Sequence, residues 1–325
     1  MTEAILHAYK LDGKGSAVFL TGDDVAKEVK AKSPAWVHLD AGHPETREWI
    51  ESKVSYLDPL ILDALLAEET RPRMLEIEKG FLLILRGVNL NENQRPEDMI
   101  SIRLWVDEHR IISLQRRNLK AVQDICRAFE QGAGPKRAGH LMVSMLRRLL
   151  QRMEPTLQEL DDRVDSLEEK ILDGKELLED ERTMVTEIRK KAIVFRRYIA
   201  PQRDAVASLR AAQSPLLNQM HKRRLQESLN HLHRYIEDLD AVRDRTHVVK
   251  DELNDAMADH MNKNAYMLSV IAAIFLPLGF LTGLLGINVG GIPGAENPDA
   301  FMIFIGLLSA TVILQVFLFK ILKWF

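Results

Sequence analysis

The sequence predicts a membrane protein of composite class: an α/β N-terminal cytoplasmic domain, a stalk of long helices with coiled-coil spacing, and a hairpin of two transmembrane helices. Three observations carry that prediction. Short runs rich in Ile, Leu and Val fill the first 130 or so residues. Apolar residues then recur at steps of three and four over about 140–260, which places a seam on one face of each helix. Finally, a chain that is 28% charged carries no charged residue between Lys263 and Glu296, and none between Asp299 and Lys320.

The elements follow in chain order. "AWVHLD" (35–40) is short and apolar and suits a strand. "DPLILDALLAEE" (58–69) has helical spacing. "FLLILRGVNL" (81–90) and "MISIRLWVDEHRIISLQRR" (99–117) read as strands, and the "VDEHR" break turns the second into a hairpin. "QGAGPKR" (131–137) is the expected linker. Three apolar seams come next: Leu157, Leu160, Val164, Leu167 and Ile171; Val185, Ile188, Ala192, Phe195 and Ile199; Leu225, Leu229, Leu232, Ile236 and Leu239. "DGK" (173–175) and "AAQSP" (211–215) are expected breaks, and Pro201 predicts a kink or an early stop. From 216 to 286 one helix is expected, on the order of 100 Å long. The expected divisions are a cytoplasmic α/β domain over 1–135, a helical stalk over 136–262 and a transmembrane hairpin over 263–325.

Composition narrows the function. A net charge of −3 gives no footprint for a nucleic-acid partner. The single cysteine, Cys126, excludes a disulfide framework and any multi-cysteine metal site, and reads as a small buried apolar residue. The first residues lack the pattern of a cleavable signal peptide. There is no nucleotide-binding loop, no Gly-x-Ser-x-Gly and no HExxH, so an enzyme is the least favoured class.

"NAYMLSVIAAIFLPLGFLTGLLGI" (264–287) and "AFMIFIGLLSATVILQVFLF" (300–319) are each long enough to cross a bilayer. Arg243, Arg245, Lys250 and Lys263 precede the first span, and Lys320 and Lys323 follow the second. The loop between them has neither Lys nor Arg, so both termini are expected in the cytoplasm and the loop outside. Ala272, Leu276, Gly279, Gly283 and Gly286 fall on one stripe of the first span. Such a stripe serves either close helix packing through small residues or a smooth pore face.

At the end of that span stands Gly286-Ile287-Asn288, and the stretch "IFLPLGFLTGLLGIN" resembles the CorA superfamily of divalent-cation transporters, whose first membrane helix ends in Gly-Met-Asn. Ile in place of Met, followed by "VGGIPGAENP", resembles the zinc-transporting, ZntB-like branch. "EETRPR" (68–73) and "FRRYIAPQRD" (195–204) also look like family segments. The resemblance implies a funnel-shaped homopentamer in the bacterial inner membrane, with the first membrane helix lining the pore. It implies no cofactor beyond the transported cation, zinc preferred. Leu285 and Ile287 depart from the magnesium branch, which puts magnesium selectivity in doubt.

On that resemblance Gly286, Ile287 and Asn288 form the selectivity filter, and five Asn288 amides would ring the outer mouth. The pore-lining set is Asn262, Leu268, Leu276, Gly279 and Gly283, with Leu276 either a greasy gate or a packing residue. Glu296 and Asp299 either draw cations to the outer loop or are solvated carboxylates. Asp255 and Asp259 share a helix face and, with His260, are candidates for an inner-mouth metal site, against the blander reading of a solvated face. The spans offer no Cys, His or carboxylate, so zinc is expected to pass partly hydrated. Proton coupling would have to run through water or a membrane-edge group such as His260. Two alternatives stay open: a magnesium or cobalt channel of the same architecture, and a membrane-anchored coiled-coil scaffold.

Overall fold

The computed structural model describes residues 4–31, 33–77, 80–172, 179–286, 294 and 297–321. They fall into two compact units, 1–250 and 251–325. The first unit holds seven strands: β1 (Ile5–Leu11), β2 (Ala17–Phe19), β3 (Ala35–Asp40), β4 (Arg73–Ile77), β5 (Gly80–Gly87), β6 (Ile100–Asp107) and β7 (Arg110–Gln115). They make one sheet in the order β2-β1-β3-β7-β6-β5-β4. Only the β3–β7 pair is parallel, with Trp36 opposite Ile111 and His38 opposite Ser113. Every other pair is antiparallel.

Helices α1 (Asp23–Lys30), α2 (Glu45–Lys53) and α3 (Pro59–Leu66) follow the early strands, and α4 (Lys120–Glu130) follows the sheet. Val25, Val29, Trp49, Ile50, Ile61 and Leu65 of the first three meet Val37, Leu39, Leu82, Ile84, Ile112 and Leu114 of the sheet in one apolar core. β6 is buried along its whole length, because helices cover the sheet on both sides. α3 is started by Asp58, whose carboxylate accepts from the Leu60 amide at 2.7 Å, with Pro59 at its first turn.

Three long helices follow: α5 (Ala138–Leu172), α6 (Glu179–Ala211) and α7 (Gln219–Gly286). Nearly every expected seam residue is buried, Val164, Ile188, Ile199, Leu225 and Leu232 completely, and Ile171 is half-buried. Charged neighbours tie α5 to α4 and to α7. Arg152 of α5 makes a two-pronged ion pair with Asp124 of α4 at 2.6 and 2.7 Å. Arg245 of α7 donates to Asp161, Asp165 and Glu168 of α5.

Of the two outcomes expected at Pro201, a kink or an early stop, the early stop is corrected. α6 runs ten residues beyond it, because Ile199 on one side and Ala205, Val206 and Leu209 on the other bury the same face, which outweighs one missing amide bond. α7 begins at Gln219 rather than 216, since Ser214–Asn218 form a turn closed by Leu217 N–H to Ser214 O at 3.0 Å. The break expected at 173–175 lies outside the described residues.

The second unit contains the C-terminal part of α7 and α8 (Ala300–Ile321). Both helices are long and apolar enough to cross a membrane, and their apolar stretches are almost wholly uncovered within one chain.

Candidate functional site

The membrane segment of α7 has two unlike sides. Val270 is buried and Ala273, Ile274, Leu278 and Leu281 are half-buried. α8 covers this side, and Gln315 Nε2 of α8 donates to the Ala273 carbonyl at 3.2 Å. At about 100° per residue, Leu268, Ala272, Leu276, Gly279, Gly283 and Gly286 occupy an arc of roughly 80° centred about 180° away from the covered side. That arc is bare: Leu268 is 68% and Leu276 70% exposed. A Cβ added at Gly279, Gly283 or Gly286 would meet nothing within 4 Å. A shallow apolar groove follows the stripe over Ala272, Leu276 and Gly279, walled by Phe275 and Phe280.

Three hydroxyls in the spans bond to carbonyls of their own helices, as a segment without water favours. Ser269 Oγ donates to Ala265 O at 2.8 Å, Thr282 Oγ1 to Leu278 O at 2.9 Å and Thr311 Oγ1 to Leu307 O at 2.9 Å. None of them projects a free polar group onto the stripe. Pro277 sits inside the helix without ending it.

At the N-terminal edge of this segment Asp255, Asp259, His260 and Asn262 are all exposed on α7. By helical angle Asp255, Asp259 and Asn262 share a sector of about 60°, whereas His260 lies roughly a quarter turn beyond Asp259. Among the described residues no three His, Cys, Asp or Glu side chains come close enough within one chain to hold a metal ion. At the other end, Gly286 closes α7, and Asp299 is exposed in the turn before α8. Its amide N–H donates to the Asn297 side-chain oxygen at 3.0 Å. Ile287, Asn288 and Glu296 lie outside the described residues.

The sequence reading missed a second feature, a polar cleft in the first unit between the sheet and α6. Arg86, Arg103 and Arg116 project into it from β5, β6 and the end of β7. The signal was present as single arginines inside the apolar strands β5 and β6 and one just after β7.

A family model described as "CorA-like Mg2+ transporter protein" matches residues 31–320. The chain belongs to the CorA family. Within it, the chain is 35% identical over 319 residues to the zinc transport protein ZntB of Yersinia pseudotuberculosis, covering 98% of this chain and 95% of that one. It is 34% identical over 322 residues to the divalent cation transporter CmaX of Pseudomonas aeruginosa, covering 98% and 96%. A solved structure of full-length CmaX matches with a TM-score of 0.85 at 33% identity, over 99% of this chain and 98% of that one. This CorA-family chain therefore has the α/β unit, long helices and C-terminal apolar helix of its relatives, which are transporters and not enzymes.

Proposed function

We propose that this chain carries divalent metal cations, zinc by preference, across the bacterial cytoplasmic membrane through a pore shared by five copies. The supporting observation is the two-sidedness of α7: α8 covers one side, and the uncovered opposite side is a stripe of small and apolar residues leading to Gly286. Five such stripes turned to a common axis make an uncharged conduit. In this reading residues 1–135 and 136–262 form the cytoplasmic domain and stalk, 263–325 form the membrane hairpin, and both termini face the cytoplasm. The zinc preference draws on the 35% identity to ZntB. The family description, which names magnesium, favours a magnesium channel as the second reading.

The chemistry follows from what the spans lack. Zinc held tightly needs thiolate, imidazole or carboxylate, and residues 264–295 contain none of them. The ion keeps much of its water. Asn288 amide oxygens at the outer mouth select for a dication without binding it too tightly to leave, and the glycine before them lets the backbone turn. Glu296 and Asp299 raise the local cation concentration outside, and Asp255 and Asp259 do so inside. A ring of Leu276 gates by dewetting, with Asn262, Leu268, Gly279 and Gly283 completing the wall. Any proton movement runs through pore water or through His260 at the edge. Zinc uptake into liposomes holding the purified protein, with magnesium as competitor, tests the proposal. Asn288→Ala is expected to abolish selective uptake while the oligomer keeps its mass. Unchanged selective uptake in that variant contradicts the filter, and uptake of magnesium in preference to zinc favours the second reading.

A further inference from the structure

The cleft in the first unit has no part in the transport path just proposed. Its volume is about 1270 Å³. Two stretches noted in the sequence, "EETRPR" and "FRRYIAPQRD", meet there through Glu68–Arg71 and Arg197–Tyr198. Strand register brings its arginines together. Arg86 of β5 stands opposite Ser101 of β6, Arg103 is two residues along the same strand face, and Arg116 continues β7 beyond the Ile102–Gln115 pair, on the other side of Ser101. The three cations therefore share one sheet face, and Lys190, Lys191 and Arg197 of α6 form the opposing wall.

These arginines are held by neutral acceptors. Arg86 donates to Thr70 O at 2.6 Å and Met99 O at 2.6 Å, and lies 4.2 Å over the Tyr198 ring. Arg116 donates to Leu66 O and Arg103 to Ala67 O, each at 2.8 Å. Carbonyls orient a guanidinium without neutralising it. Among the described residues, none of the six cations has a carboxylate within salt-bridge distance. Five acidic residues also line the cleft, but Glu68, Glu69, Asp98 and Glu187 are exposed.

Arg103 makes the arrangement costly. It is 1% exposed, and its Nε and Nη1 have no partner. Burial, with Arg116 and Arg86 adding to it, pushes this guanidinium down to about 10, so it stays charged at neutral pH. A buried, unneutralised cation with two idle donors needs acceptor oxygens carrying negative charge.

We propose that this cleft binds a soluble phosphorylated anion carrying at least two phosphate groups. Arg103 and Arg86 hold one group at the sheet, and Lys190, Lys191 and Arg197 reach the other from α6. Two facing cationic walls and a volume beyond what one phosphate fills favour a polyphosphate over a single phosphate.

The test is calorimetric titration of the full-length protein in detergent with inorganic pyrophosphate, with a chelator present to remove divalent metals. Saturable binding that weakens as salt rises is expected, together with an upward shift in melting temperature. The paired exposed substitutions Lys190→Gln and Arg197→Gln are expected to weaken binding at least tenfold. Arg182→Gln with Arg210→Gln, which remove equal charge from α6 outside the cleft, are expected to change it less than twofold. Arg103→Met is expected to abolish binding, and if that variant does not fold, the Lys190/Arg197 pair decides. No binding at millimolar pyrophosphate, or equal weakening by the control pair, overturns the site. Orthophosphate binding as tight as pyrophosphate overturns the two-group assignment.

Discussion

His38 lies fully buried in β3, and replacing it with glutamine will change how the first unit responds to acid. Its Nδ1 is 2.7 Å from Ser113 Oγ, which also accepts the Trp36 indole N–H at 2.7 Å. The serine hydroxyl then has its own proton to give to Nδ1, so the imidazole is held neutral. Burial is the main cause that pushes this group down to about 3, with neighbouring His7 adding to it and a Gln115 hydrogen bond opposing it. The unfolded chain takes up this proton below about pH 6.5, whereas the folded chain takes it up only near 3. Stability therefore falls as pH falls through that window. At 1.36 kcal/mol per unit, lowering pH from 8 to 5 costs about 2 kcal/mol from His38 alone, nearly all of it below pH 7. The assay is urea unfolding of the full-length protein at pH 8 and pH 5, followed by tryptophan fluorescence. Three of the four tryptophans, Trp36, Trp49 and Trp105, sit in the first unit and report its unfolding. His7, His140 and His221 are also pushed down by burial, so His38→Gln will still lose stability in acid, but by about 2 kcal/mol less. Equal losses in the two proteins would refute the assignment of a neutral, buried imidazole.

Three further outcomes are expected. Gly139→Ala should destabilise by about 1–3 kcal/mol, because its Cβ would press into the Leu216 carbonyl backbone, and wild-type urea midpoints would contradict this. Arg152→Ala should lose about 1 kcal/mol at pH 7. Asp124 is held below the usual carboxylate range chiefly by Arg152, so this loss should vanish as pH drops through the Asp124 titration, and a deficit that persists in acid would contradict the pairing. Leu276→Ser should raise zinc flux several-fold in liposomes if an apolar ring gates by dewetting, and unchanged flux would remove the gate.

The fold was legible wherever one periodicity dominated. β3 and the β6–β7 hairpin could be read as short, nearly continuous apolar runs, and α3 and the three long seams because their buried faces repeat at three and four. β1 could not, since half-buried His7 and Lys10 break its alternation, and β4 could not, because its side chains are mostly exposed. α4 was hidden between a strand and a glycine-rich linker, although Val122, Ile125, Cys126 and Phe129 mark its buried face. Spacing alone also revealed the glycine stripe, while its separation from the α8-facing side required coordinates. The arginine cleft needed strand register, because Arg86, Arg103 and Arg116 are far apart in sequence and adjacent only across the sheet.

The central claim is that the uncovered side of α7 lines an aqueous conduit ending at Asn288. Single cysteines test it most directly, because Cys126 is the sole native cysteine and Cys126→Ser gives a clean background. Cysteines placed by Leu276→Cys, Gly283→Cys and Asn288→Cys should let a membrane-impermeant thiol reagent block zinc flux, and zinc should slow the block. A cysteine placed by Leu281→Cys, on the side facing α8, should leave flux untouched. Block at Leu281→Cys without block at Gly283→Cys and Asn288→Cys would contradict the account.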